Sequence, residues 1–299
     1  MKNKILIINS FKGGAGKTTI SLSYAITAAI DSNCPYKRVF YIDVDLLGTG
    51  SKYLLYGDNK FPKEYFGMNF KKEDVHKYID KYDFVNKSGT YNFCCSCINP
   101  KNEYTSVSRN SKMFENNTYA RDNLFVGCLQ AFIDSIIKEN ETVLIVLDCS
   151  PGFDEREASI IENLRKNLNS NFDIEEIFVS TMDSNHLKKT LECLKTYVYR
   201  SISTKRHLII NSIYDLNKYV DLREIWEINK QNIIKEMDKI NVSVYQKEYD
   251  EQICRNSLYG CNNVVKNLSD FYIIIGNDIY TEIIQNKDCR RKSSEECSD

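Results

Sequence analysis

Lys4-Ile5-Leu6-Ile7-Ile8-Asn9-Ser10-Phe11-Lys12-Gly13-Gly14-Ala15-Gly16-Lys17-Thr18-Thr19 is the stretch from which the rest of the chain can be read. The run from 4 to 8 is a strand of the kind buried on both faces, because its apolar residues follow one another without alternation. A glycine-rich turn comes next, then a helical period over 17–30 with an Ala/Ile/Leu face. Glycines let successive backbone N–H groups turn inward as a nest for anionic oxygens, and the helix behind them presents its positive end. In such a loop Lys17 reaches the β- and γ-phosphates of a nucleotide, and the Thr18 hydroxyl can ligate Mg²⁺. The strict pattern G-x-x-x-x-G-K-[ST] wants glycine where this chain has Phe11. The alternative is a basic glycine turn that merely joins strand to helix. Gly16-Lys17-Thr18-Thr19 at the required place argues against it.

Outward from this loop, short β-branched runs alternate with helical periods, which predicts a mostly parallel sheet covered by helices. Strands are expected at 38–42, 142–147, 176–180, 207–211 and 242–245, and helices at 131–138, 155–168, 187–200 and 222–238. The predicted fold class is α/β, a doubly wound sheet with helices on both faces, as one domain over 1–288. Residues 56–123, rich in Tyr, Phe, Asn and Lys, form an irregular insertion with a short helix at 73–82, a strand at 91–98 and a loop at 99–123. The segment 271–284 is apolar and closes the core. The polar tail 289–299 is expected to be disordered.

Catalytic groups in open α/β sheets collect at the carboxyl ends of strands. Two strands here end on acids: Asp43-Val44-Asp45, and Asp148 followed by Cys149-Ser150-Pro151-Gly152. Taken alone, the first pair could be a capped turn with solvated carboxylates. Beside a phosphate loop both become candidates for handling a metal and water.

The run Lys12-Gly13-Gly14-Ala15-Gly16-Lys17-Thr18-Thr19, together with the two acidic strand ends, resembles the deviant Walker A signature of the ParA/MinD family of P-loop ATPases. That resemblance implies ATP and Mg²⁺ as ligands and a homodimer when ATP is bound. Lys12 would reach across the dimer to the partner's nucleotide. Residues 13–19 would cradle the phosphates with Lys17 among them, and Thr18 and Asp148 would hold Mg²⁺, with Asp43 close to the metal shell. Asp45 would be the catalytic carboxylate that positions the attacking water. The Gly152 N–H would sense the γ-phosphate, and Asn211, ending the strand at 207–211, would recognise adenine. The chain departs from the family's pattern at Phe11, at Leu46-Leu47-Gly48 and at Met182.

Composition bounds what such a switch acts on. Lys+Arg 40 against Asp+Glu 41 gives a net charge of -1 and excludes a histone-like polycation. A regional basic face is still allowed. Lys188, Lys195 and Arg206 are the candidates for non-specific DNA contacts, which the resemblance to partition ATPases implies. The longest apolar runs fall well short of the roughly 20 residues of a membrane span. The start shows no signal peptide, and the segment ending near Ile284 carries Asp278 and Glu282, so a membrane partner is not expected. A cytoplasmic protein is. Eleven cysteines, an odd number scattered along a chain with its own core, read as reduced thiols. Cys94-Cys95-Ser96-Cys97 contains a C-x-x-C, but in a strand Cys94 and Cys97 fall on opposite faces. A metal-cluster scaffold on the same fold, a regulator that binds nucleotide without hydrolysing it, and a protein client or activating partner bound through the insertion are the other readings.

Overall fold

Why β1 (Asn3–Ser10) is apolar on both faces is plain from its surroundings. Leu6 and Ile8 join Val39, Tyr41, Leu144, Val146, Ile177 and Ile209 in one core layer. Ile5 and Ile7 join Phe40, Ile42, Ile145 and Leu147 in the layer on the other side. A run without alternation is what two covered faces demand.

The computed structural model describes residues 2–45, 71–86, 89–97, 118–137, 141–153, 155–168, 172–200, 205–249, 251 and 277–284. The predicted tail 289–299, the Leu46-Leu47-Gly48 departure, most of the loop at 99–123 and the start of the apolar segment at 271 lie outside the described residues. After β1 come α1 (Lys17–Ile30), β2 (Arg38–Asp43), β3 (Asp80–Asn86), β4 (Gly89–Cys97) and α2 (Thr118–Ile136). Then follow β5 (Val143–Pro151), α3 (Glu155–Leu168), β6 (Phe172–Thr181), α4 (Ser184–Arg200), β7 (Lys205–Asn211), α5 (Val220–Asp238), β8 (Val242–Lys247) and α6 (Asn277–Ile284).

The strands form one sheet in the order β3-β4-β2-β5-β1-β6-β7-β8. Every neighbouring pair is parallel except β3 and β4, which are antiparallel. Ile20, Leu22 and Ala25 of α1, with Ile279 and Ile283 of α6, cover one face. On the other, α2 packs Val126, Leu129 and Phe132, α3 packs Ile161 and Leu164, and α4 and α5 pack Leu187, Leu194, Trp226 and Met237. The expected doubly wound sheet is therefore present. Because β5 lies between β1 and β2, the chain reverses direction across the sheet there, and the carboxyl ends of these three strands surround one crevice.

Three sequence expectations need correction. The helix predicted at 73–82 is a 3₁₀ turn, Lys72–Tyr78, followed by strand β3. An antiparallel edge strand needs little apolar character, which is why Asp80, Lys81 and Asp83 hid it. Helix α2 begins at Thr118, well before the predicted 131, because its first turns carry Arg121, Asp122 and Asn123 instead of an apolar period. Helix α4 begins at Ser184, since the His186 N–H donates to Asp183 Oδ1 at 3.0 Å. No helix among the described residues is long and apolar enough to cross a membrane.

Candidate functional site

The loop after β1 is built on Phe11. Its ring is buried, stacks on Phe178 at 5.3 Å and meets the edge of Phe153 at 5.3 Å, with Tyr197 completing the cluster. A glycine at this position would leave the loop without that anchor. Lys12, Gly13 and Gly14 then project into solvent. Gly14 and Gly16 have φ of 80° and 85°, the left-handed region that a side chain resists. At Gly16 even the space is closed, since a Cβ would lie 2.5 Å from Asn211 Nδ2. That amide donates to the Ala15 carbonyl at 3.2 Å, so Asn211 braces the loop from the end of β7. α1 starts directly behind Gly16, and Thr18 and Thr19 in its first turn are half-buried.

Below the loop lies a buried charge system. Lys17 is 5% exposed and its ammonium donates to Asp148 Oδ1, on a side chain with almost no exposure. Ser21 Oγ donates to the same oxygen at 3.0 Å, and Tyr41 OH donates to Oδ2 at 2.9 Å. Burial pulls the Lys17 pKa down, but Asp148, with help from Asp45, carries it above the ordinary lysine value. Lys17 is thus a buried cation. Asp148 sits inside β5 rather than at its end, because the strand continues to Pro151. Asp43 pairs with it in register across β2 and β5. The Asp45 N–H donates to Asp43 Oδ1 at 2.9 Å and the Val44 N–H to the Asp148 carbonyl at 2.9 Å, which fixes both acids at the crevice. All three carboxylates are buried.

These groups fit Mg²⁺. Carboxylates and a threonine hydroxyl are hard oxygen donors, and Mg²⁺ takes one or two of them while phosphates and waters supply the rest. Among the described residues no three His, Cys, Asp or Glu side chains converge to cage a metal on their own. Cys94, Cys95 and Cys97 are residues of β4, set in register against Phe40, Tyr41 and Asp43 of β2.

Other expected residues are arranged differently. Gly152 has φ 88°, yet its N–H donates to the Ser10 carbonyl at 2.9 Å, and the Phe153 N–H donates to the same oxygen at 3.0 Å. Sensing a phosphate through Gly152 would require that pair of bonds to open. Arg206 needs correction as a DNA contact. It is 4% exposed, and its Nε donates to Glu176 Oε2 at 2.7 Å. Lys195 pairs with Glu236 at 3.0 Å on the surface, and Lys188 is exposed.

Sequence reasoning passed over His186. This imidazole is buried beside the loop, with Nδ1 3.0 Å from Ser180 Oγ, and its pKa is lowered by burial and by Lys12. Its one signal was its place in the first turn of the helix after β6.

No family model and no curated protein matches this chain. Solved structures do. The crystal structure of a ParA family ATPase from Chlorobium tepidum TLS covers 91% of this chain and 97% of its own, with a TM-score of 0.55 and 14% identity. The structure of pnob8 ParA covers 95% of this chain and 99% of its own, with a TM-score of 0.54 and 14% identity. At that identity the likeness establishes the architecture: the chain has the fold of the ParA family ATPases.

Proposed function

We propose that this protein is an Mg-ATP-dependent dimerising ATPase switch of the ParA/MinD type, acting in DNA partition or cellular positioning. The observation that carries this reading is the buried Lys17–Asp148 pair beneath a loop whose Gly14 and Gly16 take left-handed φ, with Asp45 fixed beside it. A glycine turn that only joined strand to helix would not need a charged lysine buried against a carboxylate.

Lys17 would leave Asp148 for the β- and γ-phosphates, and the backbone N–H groups of 13–19 would hold the remaining oxygens. Mg²⁺, held by Thr18 and by Asp148 through water, with Asp43 nearby, would neutralise phosphate charge. Asp45 would orient a water for in-line attack on the γ-phosphorus, giving ADP and phosphate. Lys12, exposed on the loop, would enter the partner's site and stabilise charge developing there. Loss of the γ-phosphate would let the Gly152 and Phe153 N–H groups close on Ser10 again, which resets the dimer.

An exposed apolar surface supports the dimer. It begins two residues past the loop-bracing Asn211 and includes Ile213, Tyr214, Tyr219, Val220, Leu222 and Ile225. Exposed apolar residues that cluster in sequence are candidates for an interface. Light scattering of Asp45→Ala should give a dimer with Mg-ATP and a monomer with ADP. Ile225→Glu should bind nucleotide and stay monomeric. An Asp45→Ala protein that is monomeric with saturating Mg-ATP would remove the switch. For DNA, Lys188 is an exposed cation of α4, as is its neighbour Lys189, and Lys195 is available at little cost because exposed pairs contribute about 0–1 kcal/mol.

A further inference from the structure

Asp148 accepts hydrogen bonds from three side chains, and the proposed function uses one of them. Lys17 belongs to the phosphate loop, and Ser21 sits one turn further along α1, its single hydroxyl proton shared between Asp148 Oδ1 at 3.0 Å and the Lys17 carbonyl at 2.7 Å. The third donor comes from a different element. Tyr41 lies in β2 opposite Val146, one pleat before the Asp43–Asp148 pair, and its ring is fully buried in the core layer under α1. From there its hydroxyl reaches Asp148 Oδ2 at 2.9 Å, while Lys17 and Ser21 both hold Oδ1.

This division of the two oxygens has a consequence. A carboxylate held by donors on one oxygen only can rotate about its terminal torsion, which is broad. Held on both oxygens it has one orientation. A core residue would ordinarily end in a methyl or a phenyl ring here; a phenol places one O–H, with no charge, under the carboxylate. The ring has little room to retreat, because it is fully buried in the core layer that also holds Ile8, Leu22, Val39 and Val146.

We infer that Tyr41 is a positioning residue for Asp148 and sets how strongly the nucleotide site responds to divalent metal. The inference rests on the reading of Asp148 as a metal-orienting carboxylate. With Tyr41 in place, Asp148 keeps its orientation when Lys17 moves to phosphate, and its Oδ1 is left facing the loop. Without the hydroxyl the carboxylate follows Lys17 and no longer presents a fixed oxygen to the metal's water shell. Groups that orient a metal-binding carboxylate commonly change metal affinity by about 10–100-fold when removed.

The test compares wild type, Tyr41→Phe and a control, Tyr24→Phe. Tyr24 is fully buried in the same layer, but among the described residues its hydroxyl has no hydrogen-bond partner, Asp148 included. Fluorescence of mant-ATP is titrated in EDTA and at rising MgCl₂, and bound Mn²⁺ is counted by electron paramagnetic resonance in the presence of ATP. The expected result is a metal midpoint raised roughly tenfold in Tyr41→Phe, with binding in EDTA unchanged and Tyr24→Phe like wild type. A Tyr41→Phe midpoint within twofold of wild type overturns the inference alone, as does an equal shift in Tyr24→Phe or a parallel loss of binding in EDTA. A folded wild type that binds mant-ATP under neither condition overturns the nucleotide reading, and this inference with it.

Discussion

Two regions of this sheet bury charge, and they do it in opposite ways. In the amino-terminal half of β6, Glu176 meets Arg165 Nη2 at 2.8 Å, Arg206 Nε at 2.7 Å and Tyr197 OH at 2.7 Å. Its neighbour Glu175 meets Lys4 Nζ at 2.8 Å and His207 Nε2 at 2.9 Å. With Glu162 on Arg165 Nη1 at 3.0 Å, three carboxylates balance Lys4, Arg165 and Arg206, and secondary-structure elements surround them. At the other, Asp43 and Asp45 at the end of β2 and Asp148 inside β5 are each buried, the buried ammonium of Lys17 pairs with Asp148, and the neighbouring loop turns on Gly14 and Gly16. The balanced region ties β1, α3, β6 and β7 together. Under the proposed function, the other would answer its negative charge with a metal and rearrange its loop around phosphate.

Substitutions should separate the two. The largest effect is expected for Lys17→Ala, which leaves Asp148 buried without its cation and removes the phosphate ligand. Breaking a buried pair costs about 3–5 kcal/mol, so thermal unfolding should fall and mant-ATP binding should disappear. Arg206→Ala should cost a similar 3–5 kcal/mol by the same reasoning, yet nucleotide affinity of the folded fraction should match wild type. Equal loss of ATP binding in both variants would erase the distinction. Phe11→Gly restores the strict glycine pattern and should nonetheless weaken the protein, by about 3–5 kcal/mol as for loss of a buried aromatic ring. A gain in stability would mean that the aromatic anchor contributes nothing.

Acid should act on the balanced region. The Glu175 carboxyl is buried, which alone would raise its pKa, but His207 and Lys4 bring it down to about 2. A depressed carboxylate contributes stability that is present above its unfolded pKa and lost as pH falls through the folded one. The loss should run from about pH 4.5 to about pH 2. Burial lowers the His207 pKa, so protonation of the unfolded chain below its ordinary value adds to the loss from a somewhat higher pH. Urea denaturation across this window should show the slope in wild type and a shallower one in Glu175→Gln. The smallest effect belongs to the exposed Lys188. Lys188→Ala should leave stability within about 0.5 kcal/mol, and if DNA is bound there it should reduce the salt slope by about one.

The region with the loop was far more legible in sequence than the balanced one. Gly13 to Thr19 follow one another along the chain, and the buried strands announce themselves as apolar runs, so the loop, Asp43, Asp45 and Asp148 could be placed from local pattern alone. Arg206 could not, because Glu176 lies 30 residues away and only the β6–β7 register brings them together. Read locally, it looked like one more surface cation after α4. Tyr41 reads as one more apolar strand residue until Asp148, 107 residues later, is set beneath its hydroxyl. The β3–β4 hairpin was half seen for a related reason: an edge strand carries few of the apolar residues by which strands are recognised.

The most direct test of the account is phosphate release from Mg-ATP by wild type and Asp45→Ala, with mant-ATP binding measured on the same samples. The account expects both proteins to bind and wild type alone to release phosphate. A wild type that binds no nucleotide, or an Asp45→Ala protein that turns over at the wild-type rate, would contradict it.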